Sequence, residues 1–283
     1  MKTILITGVS SGLGRAFATA ALAAGHRVVG TVRKPGDAEA FEALATGRAH
    51  ARVLDVTDDA AVFATIADVE ATVGPLDVVI ANAGYGVEGV FEETPLSDWR
   101  AQFDANVFGV VATLQAALPF MRRRRAGHLM AVTSMGGLAA VPGMSAYCAS
   151  KFAVEGMLES LRKEVAQFGV RVTAIEPGSF RTQWAGRSMT RAERTIDDYD
   201  ALFEPIRAAR VAASGNQLGD PDKAAEVVLA VLDMSDPPAH LVLGSDALRL
   251  IGAARAAVDA DIERWDHLSR TTDFADGGAA LAS

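Results

Sequence analysis

The sequence is poor in cysteine, in positive charge and in long apolar runs. Cys148 is the one cysteine among 283 residues, so an intrachain disulfide is excluded. With 27 Lys and Arg against 35 Asp and Glu the net charge is −8, which argues against nucleic acid because that partner calls for a basic surface. No apolar run approaches the ~20 residues of a membrane span, and the first residues lack a signal-peptide core. We therefore expect a soluble, cytoplasmic protein with no nucleic-acid partner and no membrane partner.

What the sequence has instead is a regular alternation of short β-branched runs and longer helix-like segments. Half of the residues are hydrophobic and 22% are charged, as in a chain that buries a sizeable core. Apolar strands separated by helices indicate a parallel sheet that is covered on both faces. We predict an α/β fold with a Rossmann-type, doubly wound parallel sheet flanked by helices. The predicted strands are 4–6, 27–32, 52–54, 77–81, 128–133, 171–175 and 240–243.

The domain organisation follows from the same pattern. No linker rich in Pro, Gly or Ser interrupts it, so we predict a single domain over residues 1–250. Residues 179–219 are polar, charged and poor in strand signal, and a long insertion after a strand end is typical of a substrate-binding lid. Residues 251–283 are predicted to form a C-terminal helical extension that ends in a loose tail.

A glycine-rich turn joins the first predicted strand to the first predicted helix. Glycines permit a tight turn and let a phosphate approach backbone N–H groups, and the helix N-terminus adds a partial positive charge. In the first βα unit of this fold such a turn binds a pyrophosphate, whereas the alternative is a turn without a ligand. We assign to dinucleotide binding the residues Gly8, Ser10, Ser11, Gly12, Leu13 and Gly14.

The end of the second predicted strand bears on which dinucleotide is bound. An acidic residue there would hold the ribose 2′-hydroxyl of NAD, but the sequence places Arg33 and Lys34 there and has no carboxylate before Asp37. The Arg33 guanidinium can hold a 2′-phosphate in a bidentate contact and stack on the adenine. This favours NADP(H) over NAD(H), although two solvated charges after a strand are the alternative interpretation.

Tyr147 and Lys151 are a candidate acid–base pair at the start of a predicted helix. Residues four apart are neighbours on a helix surface. An ammonium group fixed beside a phenol favours the phenolate and lowers its pKa from ~10 toward neutral, which would make Tyr147 a usable general acid or base. For the pair on its own, a surface tyrosine beside a solvated lysine is the default interpretation.

Further polar and small residues follow the other predicted strands. Asn82-Ala83-Gly84, Ser134 and Pro177-Gly178 all come at carboxyl ends, which border the ligand crevice of a parallel sheet. Asn106 lies in the middle of a helix predicted over 98–124, where asparagine is a poor helix former. It is either a solvent-facing side chain or one with a specific role.

Taken together and in this order, these motifs resemble the short-chain dehydrogenase/reductase family over Thr3 to about Thr182. The resemblance is greatest to NADP-preferring members with an arginine after the second strand, some of which act on hydroxysteroids, retinoids or other apolar ketones. It implies that the catalytic residues are Asn106, Ser134, Tyr147 and Lys151. Tyr147 would exchange a proton with the reacting oxygen, Ser134 would hydrogen-bond that oxygen, and Lys151 would hold the nicotinamide ribose and lower the pKa of Tyr147. Asn106 would hold a water that passes protons to Lys151.

The resemblance also extends the set of cofactor-binding residues beyond the first turn and Arg33. It adds residues after each of the remaining central strands, with Asp55 at the adenine edge. The added residues are Asp55, Val56, Asn82, Ala83, Gly84, Tyr147, Lys151, Pro177, Gly178 and Thr182.

We therefore predict an NADP(H)-dependent oxidoreductase that interconverts an apolar ketone or aldehyde and an alcohol by direct hydride transfer. Two alternatives remain: an NAD(H)-dependent alcohol dehydrogenase of the same family, and a non-catalytic dinucleotide-binding redox sensor. Hydride transfer needs no metal and the sequence shows no Cys/His cluster, so we expect no metal ligands. Family members pair through the helices that begin near Ser97 and Tyr147, so we expect a homodimer or homotetramer.

Overall fold

The structure is a computed structural model that describes residues 1–184, 186 and 188–274. The strands are β1 Thr3–Ile6, β2 Arg27–Val32, β3 Ala49–Val53, β4 Val78–Ala81, β5 Gly86–Glu88, β6 Gly127–Val132, β7 Val170–Pro177, β8 Met189–Arg191 and β9 His240–Leu243. The α-helices are α1 Gly12–Ala23, α2 Pro35–Glu42, α3 Asp59–Thr72, α4 Leu96–Phe103, α5 Gly109–Arg124, α6 Ser145–Val165, α7 Asp200–Ala213, α8 Pro221–Leu232 and α9 Ser245–Ser269.

Seven strands form one parallel sheet in the order β3-β2-β1-β4-β6-β7-β9. Its central strands are buried along their whole length, because helices cover both faces. One face packs against α1 and α8, and the other packs against α3, α5 and α6. The strand order reverses between β1 and β4, and ligands bind beyond the carboxyl ends of the strands at such a reversal. The predicted doubly wound α/β fold is confirmed.

The helix that we predicted over 98–124 differs from the one observed. It begins earlier, at Leu96, and it is interrupted by a single π turn at Asp104–Phe108 before α5 continues. In a π turn each backbone hydrogen bond joins residues five apart, whereas in an α-helix it joins residues four apart. Such turns are common at functional sites. The expected mid-helix asparagine, Asn106, lies at the centre of this turn.

The same helical run, Leu96–Arg124, is long and apolar enough to cross a membrane by length and composition. An 18-residue window within it has a mean hydropathy of 1.3. In the structure, 44% of that window is buried. Val110, Leu114, Ala117 and Met121 pack in the core beneath the sheet. One side of the run therefore packs against the sheet.

Two short strands were missed in the sequence. β5 lies in a segment interpreted as a loop, and β8 lies inside the predicted lid, 179–219. They form a parallel pair of three residues each, with Gly86 opposite Met189 and Glu88 opposite Arg191. Runs this short carry no period that a sequence pattern could show. The predicted lid is thus attached to the segment after β4, and it also contains α7.

The C-terminal extension predicted from residue 251 begins within α9. Ala247 and Ile251 are buried against Ala139, whereas the side chains from Arg255 to Phe274 are exposed. Residues 275–283 of the predicted loose tail lie outside the described residues.

Candidate active site

The turn after β1 requires glycine at two points. Gly8 has a φ of 74°, a conformation that L side chains rarely adopt. A Cβ on Gly14 would lie 2.3 Å from both the Gly8 carbonyl oxygen and Asn82 Nδ2. The backbone of the turn can therefore approach β4 and leave the N-terminus of α1 facing the crevice, as a bound pyrophosphate requires.

Asn82 and Thr7 fasten this turn to the neighbouring strand. Asn82 Nδ2 donates to the carbonyl oxygens of Thr7, at 2.8 Å, and Gly8, at 3.0 Å. The Thr7 hydroxyl oxygen accepts from the backbone N–H groups of Asn82 and Ala83, each at 2.9 Å. Asn82 thus shapes the predicted cofactor site through the backbone of the first turn.

The residues predicted for the adenosine end lie after β2 and β3. Arg33 is exposed. Asp55 accepts hydrogen bonds from the backbone N–H and the hydroxyl of Thr57, at 3.0 and 2.8 Å. The Thr57 bonds, followed by the positive charge of Arg33, lower the pKa of Asp55, so it is ionised at neutral pH. Val56 packs against Gly109 at the start of α5.

Asn106 is buried in the π turn and faces the segment that follows β4. Its Oδ1 accepts from the Tyr85 N–H at 3.1 Å, its Nδ2 donates to the Tyr85 carbonyl oxygen at 2.9 Å, and Ser150 Oγ lies 3.3 Å from Nδ2. A Cβ on Gly84 would lie 2.8 Å from Asn106 Oδ1 and 3.8 Å from Lys151 Nζ. The solvent-facing interpretation of Asn106 is therefore wrong.

Ser134, Tyr147 and Lys151 lie together at the carboxyl end of β6, and all three are buried. A hydrogen bond joins the side chains of Ser134 and Tyr147. Lys151 Nζ donates to the Val132 carbonyl oxygen at 2.8 Å and lies 5.8 Å from the centre of the Tyr147 ring. Tyr147 is close to the beginning of α6, and Lys151 follows it by one turn.

The pKa of Tyr147 is shifted in the direction opposite to our expectation. Burial raises the pKa of its phenol, and the hydrogen bond from Ser134 only partly opposes that rise. Burial also lowers the pKa of Lys151 to about 8, against the opposing charge of Glu155. The expected lowering of the Tyr147 pKa by Lys151 is wrong for this structure, because withdrawal from water disfavours the charged form of both groups.

Other predicted residues lie at the end of β7 and beside the N-terminus of α1. Pro177 ends β7, and Gly178 lies against Asp246, whose Oδ2 accepts from the Ser179 N–H at 2.8 Å. Gly12 and Thr182 line one cavity of about 370 Å³ beside the N-terminus of α1. The residues predicted from distant parts of the sequence therefore meet at one edge of the sheet.

An apolar wall beside Tyr147 extends the site. The rings of Tyr147 and Trp184 lie 5.1 Å apart, and Val141, Met144, Cys148 and Met189 pack around them. Trp184 both contacts the site and anchors the predicted lid, since it packs on Tyr147 and against Gly86 of β5.

Buried ion pairs that the sequence did not reveal connect the predicted lid to the segment after β4. Glu88 is buried and pairs with Arg191 at 3.0 Å and with Arg210 at 3.1 Å. Glu93 pairs with Arg194 and accepts from the Thr195 and Ile196 N–H groups. These partners are about one hundred residues apart in the sequence, so no local spacing could indicate them.

Sheets with this winding bind dinucleotides where the strand order reverses, and the buried Tyr147–Lys151 pair lies beside that reversal. Fold and site together define the class, a Rossmann-type oxidoreductase. The sequence model of the family described as short chain dehydrogenase matches residues 2–193. The chain belongs to the short-chain dehydrogenase family.

Individual relatives are similar over most of the chain. A short-chain dehydrogenase from Streptomyces avermitilis has a solved structure with a TM-score of 0.89 and 39% identity, covering 96% of this chain and 98% of that one. Retinol dehydrogenase 8 from Homo sapiens is 32% identical over 84% of this chain and 79% of its own length. The alcohol dehydrogenase from Thermococcus sibiricus, solved with 5-hydroxy-NADP, has a TM-score of 0.71 and 25% identity, covering 86% and 96%.

Replacing Asn106 with alanine should weaken the attachment of the π turn to the segment after β4, because both hydrogen bonds to the Tyr85 backbone are lost. Leaving a buried group without its partner costs about 1–3 kcal/mol. We expect the free energy of unfolding, measured with urea, to fall by about that amount. The matched control Asn216→Ala removes an exposed asparagine and should leave the unfolding curve unchanged. Equal stability of Asn106→Ala and the wild type would contradict the role of these hydrogen bonds.

Proposed function

We propose that the protein is an NADP(H)-dependent oxidoreductase that interconverts an apolar ketone or aldehyde and an alcohol. The observation that carries the proposal is the buried Ser134–Tyr147–Lys151 group at the carboxyl edge of the sheet, beside the glycine-lined turn. A sensor that only binds a dinucleotide would have no use for a buried phenol held by a serine hydroxyl. The bound nicotinamide would supply hydride to the substrate carbon or accept it.

The residues fit a dinucleotide along the whole edge of the sheet. Gly8, Ser10, Ser11, Gly12, Leu13 and Gly14 would hold the pyrophosphate, since the close approach of Gly14 to Asn82 and the Gly8 carbonyl oxygen packs the turn beside the N-terminus of α1. Arg33, Asp55 and Val56 would hold the adenosine end. The nicotinamide half would contact Asn82, Ala83, Gly84, Lys151, Pro177, Gly178 and Thr182, around the open backbone at Gly84.

The acid–base role belongs to Tyr147. Its raised pKa keeps the proton on the phenol at neutral pH, so it can donate that proton to a carbonyl oxygen in the direction of reduction. Ser134, already hydrogen-bonded to Tyr147, would hold the same oxygen. In the direction of oxidation the phenolate needs a nearby cation, which Lys151 provides while its ammonium is protonated. Asn106, 3.3 Å from Ser150 and beside Gly84, would position a water on the path from Lys151 to solvent.

An apolar substrate is supported by the side chains around Tyr147. Trp184, Met144, Met189 and Val141 present ring and aliphatic surface beside the phenol, with residues 179–219 acting as the lid. Small-molecule sites of this kind are mostly apolar with a few polar groups that fix orientation. The similarity to a retinol dehydrogenase supports the same class of substrate.

The acid–base proposal is tested by Tyr147→Phe with NADPH and a panel of apolar and polar carbonyls. General acid catalysis contributes about 10²- to 10⁴-fold, so kcat should fall by that factor while NADPH binding is kept. Tyr199→Phe, which removes only an exposed hydrogen bond to Glu92, is the matched control and should retain wild-type kcat. Turnover by Tyr147→Phe at the wild-type rate would refute the role of Tyr147. A wild-type protein that binds NADPH and reduces no carbonyl in the panel would favour the redox sensor.

The preference for NADP(H) is assigned to Arg33, the exposed guanidinium after β2. Loss of a charge-assisted phosphate contact costs about 1.5–3 kcal/mol. In Arg33→Ala the ratio of kcat/KM for NADPH to that for NADH should therefore fall by about tenfold or more. Arg249→Ala, an exposed arginine on α9, is the control. If Arg33→Ala leaves this ratio unchanged, Arg33 does not select the cofactor, and the NAD(H)-dependent alternative stays open.

We also propose that the protein works in the cytoplasm as a homodimer or homotetramer through the outer faces of α4, α5 and α6. Phe108 in the π turn is 55% exposed and Phe152 on α6 is 45% exposed, and these two elements are in contact. Exposed aromatic surface of this kind is characteristic of association sites.

Light scattering coupled to gel filtration tests the oligomer. Phe108→Asp combined with Phe152→Asp should give a monomer, because a carboxylate in an apolar interface is desolvated without a partner. Phe63→Asp changes a phenylalanine on α3 that is exposed to a similar degree, and it should leave the mass unchanged. A double variant with the wild-type mass would place the interface elsewhere.

A further inference from the structure

Two glutamates and a histidine converge behind the candidate active site. Glu155 is on α6, Glu176 is on β7 and His240 begins β9. His240 Nδ1 lies 2.6 Å from Glu176 Oε1 and 3.8 Å from Glu155 Oε2. One carboxylate oxygen of each glutamate and the histidine nitrogen all lie within 4.8 Å of one another. Glu155, Glu176 and His240 are far apart in the sequence. A search for metal ligands at short spacings along the chain therefore does not find them.

The two carboxyl groups are buried with little to compensate their charge. Glu176 is 0% exposed and Glu155 is 6% exposed. Both oxygens of Glu155 and Oε2 of Glu176 lack a hydrogen-bond donor in the described part of the chain. The nearby Thr133 hydroxyl has a single proton and donates it to the Ile175 carbonyl oxygen at 3.0 Å. A buried, ionised carboxylate without partners is strongly unfavourable, and two of them side by side are more so.

Two agents can neutralise such a pair, a proton or a metal cation. A divalent cation would neutralise both carboxylates and also occupy Glu155 Oε2, one of the oxygens that have no donor. Arg255 adds a positive charge felt by Glu176, but neither glutamate forms an ion pair with an arginine or lysine among the described residues.

We propose that Glu155, Glu176 and His240 form a binding site for a divalent transition-metal ion such as Zn²⁺. Two carboxylate oxygens and an imidazole nitrogen are a ligand set that Zn²⁺ accepts, with a water in the fourth position. At metal–ligand distances of about 2.0–2.2 Å, tetrahedral ligands lie roughly 3.3–3.5 Å apart. His240 Nδ1 lies 2.6 Å from Glu176 Oε1 and 3.8 Å from Glu155 Oε2, one distance shorter and one longer than that value. Small side-chain rotations would therefore bring the three ligand atoms to the separations that Zn²⁺ requires.

The surroundings provide a route to the site. The His240 side chain is 47% exposed, so one side of the cluster faces solvent. A cavity of about 10 Å³, lined by Glu155, His240 and Leu158 among others, borders the cluster. That volume is about what one water molecule needs, which matches a single water ligand.

The place of the cluster gives the metal a structural role. Glu155 follows Lys151 by one turn of α6, Glu176 directly precedes Pro177, and β9 leads into Asp246, which holds the Ser179 N–H. A bound ion would therefore link the three elements that carry the proton-transfer residues and the cofactor loop. It takes no part in hydride transfer, so the proposal stands apart from the proposed reaction.

Calorimetric titration of the full, untagged, chelator-treated protein with ZnCl₂ tests the site. We expect one equivalent bound and a melting temperature that rises with Zn²⁺ concentration, because a ligand of the folded state stabilises it.

Variants identify the ligands. Glu155→Gln and His240→Ala should each weaken Zn²⁺ binding by about tenfold or more. His267→Ala, an exposed histidine on α9, is the matched control and should bind as the wild type does. His240 is half exposed, so its variant folds even if Glu155→Gln does not. The proposal is overturned if millimolar Zn²⁺ leaves the melting temperature of the wild type unchanged, or if His240→Ala binds Zn²⁺ with the affinity of the wild type.

Discussion

The burial of the Lys151 ammonium is the constraint on which the rest of the site depends. A charge withdrawn from water is unfavourable unless other groups compensate it, and here the compensation is modest: the Val132 carbonyl oxygen at 2.8 Å and the charge of Glu155 one turn away. The result is a lysine whose pKa lies near 8 instead of above 10. Lys151 can therefore change its protonation state near neutral pH, which suits a group that assists proton transfer.

The backbone on the other side of the crevice is fixed by neutral hydrogen bonds. Thr7 and Asn82 join the first turn to β4 with four bonds of 2.8–3.0 Å, and the close approach of Gly14 leaves no space for a side chain. Because these bonds carry no net charge, the turn stays rigid at any pH at which the protein is folded. The hydrogen-bonded turn therefore lies on one side of the crevice and the buried lysine on the other.

The sequence predicts well those features that depend on local pattern. The seven apolar strands, the glycine turn and the pair four residues apart on α6 are all visible in it, because each is decided by neighbouring residues. The π turn around Asn106 and the β5–β8 pair are not, since tertiary packing decides them. The direction in which the Tyr147 pKa shifts cannot be predicted from the sequence either. The spacing shows that Lys151 is near Tyr147, but it does not show how deeply the two side chains are buried. Glu155, Glu176 and His240 meet only through the sheet topology.

Ion pairs and apolar contacts together attach residues 179–219 to the body of the protein. Glu88 holds Arg191 and Arg210, and Glu93 holds Arg194 together with two backbone N–H groups. When an ion pair separates, both partners regain hydration, so its net contribution is small compared with apolar contacts over the same area. Apolar contacts add to these pairs, because Trp184 packs on Tyr147, Met189 belongs to the same cluster and Phe203 is buried. The carboxylates of Glu88 and Glu93 fix which arginine lies opposite the segment after β4, and the apolar side chains hold the segment beside Tyr147.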